Sequence, residues 1–103
     1  MTTDRPDSPA PEGQMNDVIV LDAIDRAVCD AERELRRAMA LFGPFKNGHE
    51  GWAVIREEVD ELWDEVKANK RVDHVARQRK EAIQIAAMAL RFVVDLGDLE
   101  STR

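Results

Sequence analysis

The chain predicts an all-α protein, a unit of three helices joined by short links that assembles through more than one copy into an oligomeric helical bundle. Three observations predict it. Apolar residues recur at three- and four-residue steps in three separate segments. Cap and stop residues, among them Gly43-Pro44, Asn47, Asp73 and Gly97, fall between and after those segments. No stretch reads as a strand, and no internal repeat is present.

Composition narrows the class. The 103 residues suit one domain, and 44% apolar content is too high for a wholly disordered chain. A net charge of -6 argues against binding a phosphate backbone, so no nucleic-acid partner is expected. No run of about 18 apolar residues exists, so no membrane span is expected. The N-terminus is acidic and Pro-rich, unlike a secretory signal. The single Cys29 excludes an intramolecular disulfide and fits a reducing cytoplasm, which is the expected location.

Residues 1–15 read as a disordered tail, because Pro6, Pro9 and Pro11 with polar neighbours form no amphipathic element. The helical domain spans 16–97, and 98–103 read as a frayed end. The first helix runs from about Asp17 to Phe42, capped by Asn16 or Asp17. Its apolar stripe is Leu21, Ile24, Val28, Ala31, Leu35, Met39 and Phe42. Asn47 with Glu50 resembles a capping box and starts a second helix near Gly48 that ends near Ala68. Its stripe is Trp52, Ile55, Val59, Leu62 and Val66, so both Trp52 and Trp63, at its margin, are expected to pack. A polar, basic link covers 69–73. Asp73 caps a third helix from about His74 to Leu96, stopped by Gly97.

The third helix carries two apolar faces, Ile83, Ala86, Leu90, Val93 and Val94 on one and Ile85, Met88 and Phe92 on the other. A helix apolar all round needs burial all round, which three helices of this length do not easily supply. A homodimer or homotetramer is therefore expected, the alternative being a monomer with one exposed apolar strip.

Chemistry concentrates in the run Glu57-Glu58-Val59-Asp60-Glu61-Leu62-Trp63-Asp64-Glu65 and its partner Lys80-Glu81-Ala82-Ile83-Gln84. Like charges at three- and four-residue steps repel in an isolated helix. They form either a solvated acidic face or a site for a hard cation such as Mg²⁺. Glu81 lies on a face due to be buried, where a carboxylate needs a partner. That partner is either a basic residue such as Arg77 or Lys80, or a cation shared with Glu58 and Glu61. His49 and His74 have no metal-ligand spacing and read as loop or cap residues. There is no Gly-rich phosphate loop and no Ser/His/Asp order, so a covalent mechanism is not expected.

The pattern Glu57-Glu58-x-x-Glu61 followed by Glu81-x-x-Gln84 resembles the EExxE…ExxD signature of the all-α nucleoside triphosphate pyrophosphohydrolases, which include MazG. The words Gly43-Pro-Phe, His49-Glu-Gly51 and Arg79-Lys-Glu-Ala-Ile-Gln-Ile-Ala-Ala-Met-Ala-Leu-Arg91-Phe are similar to its small MazG-like members from phages and bacteria. The resemblance covers roughly residues 41–96. It implies an enzyme cleaving nucleoside triphosphates to monophosphate and pyrophosphate, with Mg²⁺ as cofactor. By the same resemblance Glu58, Glu61 and Glu81 match metal ligands, and Glu57 or Glu61 is the candidate base. Gln84 stands where the signature has a metal-binding aspartate and offers only a neutral oxygen. Lys46, Lys80 and Arg91 are the candidate cations for the outer phosphates, and each also reads as a solvated surface charge. The alternative to the enzyme is a helical oligomer with weak or no turnover that binds nucleotides or proteins, and Gln84 is the feature that favours it.

Overall fold

The computed structural model describes residues 10–68 and 72–99, with side chains from residue 17 onward. The expected tail up to residue 9, the link at 69–71 and residues 100–103 lie outside the described residues. Helix α1 spans Ala10–Leu41, α2 Gly48–Lys67 and α3 His74–Phe92, and a π-helical turn continues α3 over Val93–Asp98. Among the described residues there is no strand, so the fold is all-α. No helix there is long and apolar enough to cross a membrane.

The α1 start differs from the expectation. The helix begins at Ala10, so 10–15 join it, and Asn16 and Asp17 lie inside it rather than capping it. Pro11 permits this because the first-turn N–H it lacks has no intrahelical acceptor, and its fixed φ suits the helix. At the other end the Phe42 N–H donates to the Ala38 carbonyl at 2.9 Å, and the chain leaves the helix before Gly43-Pro44.

The α2 start follows the cap chemistry. Asn47 Oδ1 accepts from the Glu50 N–H at 2.9 Å, and Glu50 Oε1 accepts from the Lys46 N–H at 2.6 Å. Asp73 takes the cap position of α3, but its side chain makes no cap hydrogen bond. Its carboxylate lies 3.7 Å from Arg77 instead. Gly97 does not stop α3: it sits within the π-helical turn.

Helix α3 lies between α1 and α2 and packs against both. The core is small: Ala38, Phe45, Ala87 and Met88, with Leu35, Val54, Ile55, Phe92 and Leu96 partly buried against it. Small residues allow the close crossings. A Cβ on Gly51 would stand 2.5 Å from the Phe92 ring, so α2 meets α3 where only glycine fits. Charged pairs tie the layers at the rim, Asp30 to Arg79 at 2.9 Å between α1 and α3, and Glu65 to Arg77 at 3.0 Å between α2 and α3.

Two expected stripes are buried only in part: Ala31 and Leu35 on α1 and Ile55 and Leu62 on α2 turn inward, while the other members are exposed. On α1 the interior residues are Ala31, Leu35 and Ala38, while Leu21, Ile24, Val28 and Phe42 are exposed. On α2 the inner side carries Gly51, Val54, Ile55 and Glu58, while Trp52, Val59, Trp63 and Val66 are exposed. On α3 the most buried residues include Ala87, Arg91 and Asp95, which the two-face reading did not place inside. The single chain measures 57 × 43 × 21 Å with a radius of gyration of 18.9 Å. A compact 100-residue domain has about 13 Å.

Candidate metal centre and adjoining cavity

The inward side of α2 and the first turns of α3 bring carboxylates together. Glu58 and Glu61 are three residues apart on α2, and Glu81 reaches them from α3. One carboxylate oxygen from each lies within 4.8 Å of the others. In a Mg²⁺ octahedron with metal–oxygen distances of about 2.1 Å, opposite ligands stand roughly 4.2 Å apart. Oxygens no more than 4.8 Å apart are of the spacing that one such shell spans.

The electrostatics are unfavourable without a counter-charge. Glu58 and Glu81 are half-buried, Glu61 is exposed, and Glu58 Oε1 and Glu81 Oε1 are buried with no hydrogen-bond partner. Burial first, then the charges of Glu61 and Glu81, push the Glu58 carboxyl up to about 7. Burial, followed by Glu61, raises Glu81 in the same direction. Of the expected basic partners of Glu81, Arg77 pairs with Glu65 and Asp73, and the Lys80 charge lowers the Glu81 carboxyl without outweighing its burial. Orphaned, mutually repelling carboxylate oxygens from two helices fit a hard divalent cation.

The other expected site residues divide between three places. Glu57 is exposed and lies outside the trio, though near enough for its charge to raise Glu58. Gln84 is half-buried and lines the adjoining cavity with Glu34, whose carboxyl Arg37 foremost, and the Gln84 amide after it, hold below its usual range. Lys80 is exposed on a neighbouring hollow lined also by Asp30, Arg79, Glu34 and Gln84.

A cavity of about 560 Å³ adjoins the trio, bounded by α1, the 43–46 connection, α2 and α3. Glu58 belongs to both the trio and the cavity wall. Lys46 stands exposed at its rim. Arg91 lines it too, but not as the solvated charge expected: it is 6% exposed. Its Nη2 donates to the Gly43 carbonyl at 2.6 Å, its guanidinium lies 4.1 Å from the Phe45 ring centre, and Asp95 is 3.4 Å from its Nε. Asp95 in turn accepts from the Phe45 N–H at 3.1 Å. Arg91 and Asp95 therefore fasten the 43–46 connection over the end of α3. Sequence reasoning missed Asp95 and Glu34. The available signal for Asp95 was an Arg–Asp pair four residues apart in an otherwise apolar helix.

Comparison with protein-family models, with characterised proteins and with solved structures finds no match for the chain.

Proposed function

We propose that this chain is a Mg²⁺-dependent nucleoside triphosphate pyrophosphohydrolase of the MazG-like all-α type, acting as a homo-oligomer. The observation that carries the reading is the trio itself, with two of its carboxylate oxygens buried and unpartnered. The sequence resemblance points the same way.

Glu58, Glu61 and Glu81 would hold the cation, which when bound supplies charge neutralisation and polarisation at the phosphates. Water attacks phosphorus, the bond to the bridging oxygen breaks, and nucleoside monophosphate and pyrophosphate separate. Glu57 and Glu61 are exposed beside or within the trio, where water reaches them, so one of them takes the proton of the attacking water. Lys46 offers its ammonium to the outer phosphates from the cavity rim. Arg91 serves the site by holding the 43–46 connection, since its guanidinium is already engaged.

The oligomer is supported by the thin core and by the exposed Trp52, Val59, Trp63 and Val66 on α2, which a second copy would cover. Gln84 offers a cation only a neutral oxygen, which favours the second reading, a nucleotide-binding bundle with weak or no turnover.

Pyrophosphate release from a panel of NTPs and dNTPs, with Mg²⁺ and with EDTA, tests the proposal. Release that requires Mg²⁺ and is lost in Glu61→Ala supports it. No release from a folded oligomer returns the reading to the binding module.

A further inference from the structure

The cavity beside the trio has a wall of two kinds. Phe42, Phe45, Val54 and Met88 make one part apolar, while Glu34, Arg37 and Gln84 make another polar. Its volume of about 560 Å³ lies in the ordinary range for small-molecule sites. Because Glu58 belongs to both trio and cavity, a nucleotide whose phosphates lie at the trio has its base directed along this wall.

Glu34 is the unusual member. Its side chain keeps only 15% of its exposure yet is a carboxylate, set among Ala31, Leu35 and Ala38 on the inner side of α1. Arg37 donates to both of its oxygens, the Nε bond being 3.0 Å, and this pairing holds the carboxyl below its usual range. An ionised carboxylate has roughly four lone-pair positions, so acceptor positions remain, and it cannot donate. Gln84 lines the same wall, where its amide carbonyl offers a second acceptor. The surface pairs further along α1, such as Glu32 with Arg36, have a far more exposed acid and line neither this cavity nor the neighbouring hollow.

We infer that Glu34 and Gln84 form a base-reading pair that selects nucleotides whose base carries an exocyclic amino group. Guanine, adenine and cytosine bring such a donor, whereas uracil and thymine bring one N–H between two carbonyls. A carbonyl oxygen beside an ionised carboxylate loses its hydration and meets repulsion, so uracil and thymine are rejected. The assignment rests on the pyrophosphohydrolase reading for its ligand class and gives Gln84 a role on the base side of the site.

Two measurements on the full chain test it: kcat/KM for dGTP, dATP, dCTP and dTTP with Mg²⁺, and calorimetric binding of the four corresponding monophosphates. The wild-type chain is expected to favour at least one amino-bearing base over dTTP. Glu34→Gln, which adds a donor, is expected to reduce that preference about tenfold or more. Gln84→Ala reduces it less. The preference is a ratio within one protein, so a general loss of folded or active chain does not move it. Release with no preference against dTTP, or with a preference untouched by Glu34→Gln, overturns the inference and leaves the hydrolase standing. Monophosphate binding with a Glu34-dependent preference but no release keeps the inference and removes the hydrolase. Binding of no nucleotide overturns both.

Discussion

Helix α3 and its π-helical turn bury carboxylates at two places, and their surroundings are opposite. Asp95 is 2% exposed and partnered, accepting from the Phe45 N–H and facing the Arg91 guanidinium. Glu81, near the start of the helix, has a buried oxygen with no hydrogen bond, and its neighbours Glu58 and Glu61 repel it. The first arrangement is charge-paired within the chain, although Arg91 Nε, 3.4 Å from Asp95, makes no hydrogen bond among the described residues. The second is incomplete, and burial raises the free energy of its charged form. On one helix, then, one buried acid has an N–H donor and an opposite charge within the chain, and another has neither at its buried oxygen.

The largest effect should come from breaking the charge-paired end. Asp95→Ala leaves Arg91 buried beside an unpaired Phe45 N–H, and it should lower stability by about 3–5 kcal/mol in urea denaturation. Gly51→Ala comes next. The new Cβ collides with the Phe92 ring, at a cost of roughly 1–3 kcal/mol by the same assay. At the open end the sign reverses. Glu58→Gln removes a like charge three residues from Glu61 and should raise the stability of the metal-free protein by about 0.5 kcal/mol.

The contrast also has a pH dependence. Glu58 is raised in the folded protein from the ordinary carboxylate range to about 7. The folded state therefore binds more protons than the unfolded state between those values, and stability falls as pH rises through that window. Urea midpoints measured in EDTA should decline from about pH 5 to pH 7.5 in the wild-type chain and decline less in Glu58→Gln. The smallest expected change is at Gln84. Gln84→Asp should tighten Mg²⁺ binding if that position belongs to the metal shell, and unchanged affinity removes it from the shell.

Much of the fold was legible because local chemistry wrote it. Asn47 and Glu50 marked the start of α2, and Gly43-Pro44 marked the end of α1. The start of α1 was not legible, because Pro11 reads as a breaker in sequence although the first turn of a helix tolerates it. The stripes misled for a different reason. Periodicity tells which residues share a face but not what covers that face. On α2 the face carrying Trp52, Val59 and Trp63 is left exposed by this chain, and the side carrying Gly51 and Glu58 is the one that meets α3.

The candidate site was legible in part. The spacing of Glu58, Glu61 and Glu81 left a solvated acidic face and a shared cation site both open, and the packing of α2 on α3 is what brings the three together. Glu34 was not legible, because in sequence its pairing with Arg37 looks the same as the pairing of Asp30 with Arg33 or Glu32 with Arg36. Only the packing of α1 against α3 turns one of these pairs inward. Arg91 reads as a surface cation until Asp95 is placed beside it.

The central claim is that the unpartnered carboxylates of α2 and α3 form a cation site. The most direct test is a calorimetric Mg²⁺ titration at pH 8 of the wild-type chain, Glu58→Gln and Glu81→Gln, each first confirmed to be folded. The account predicts saturable binding in the wild type, lost or weakened at least tenfold in both variants. No binding in the wild type, or equal binding in all three proteins, would contradict it.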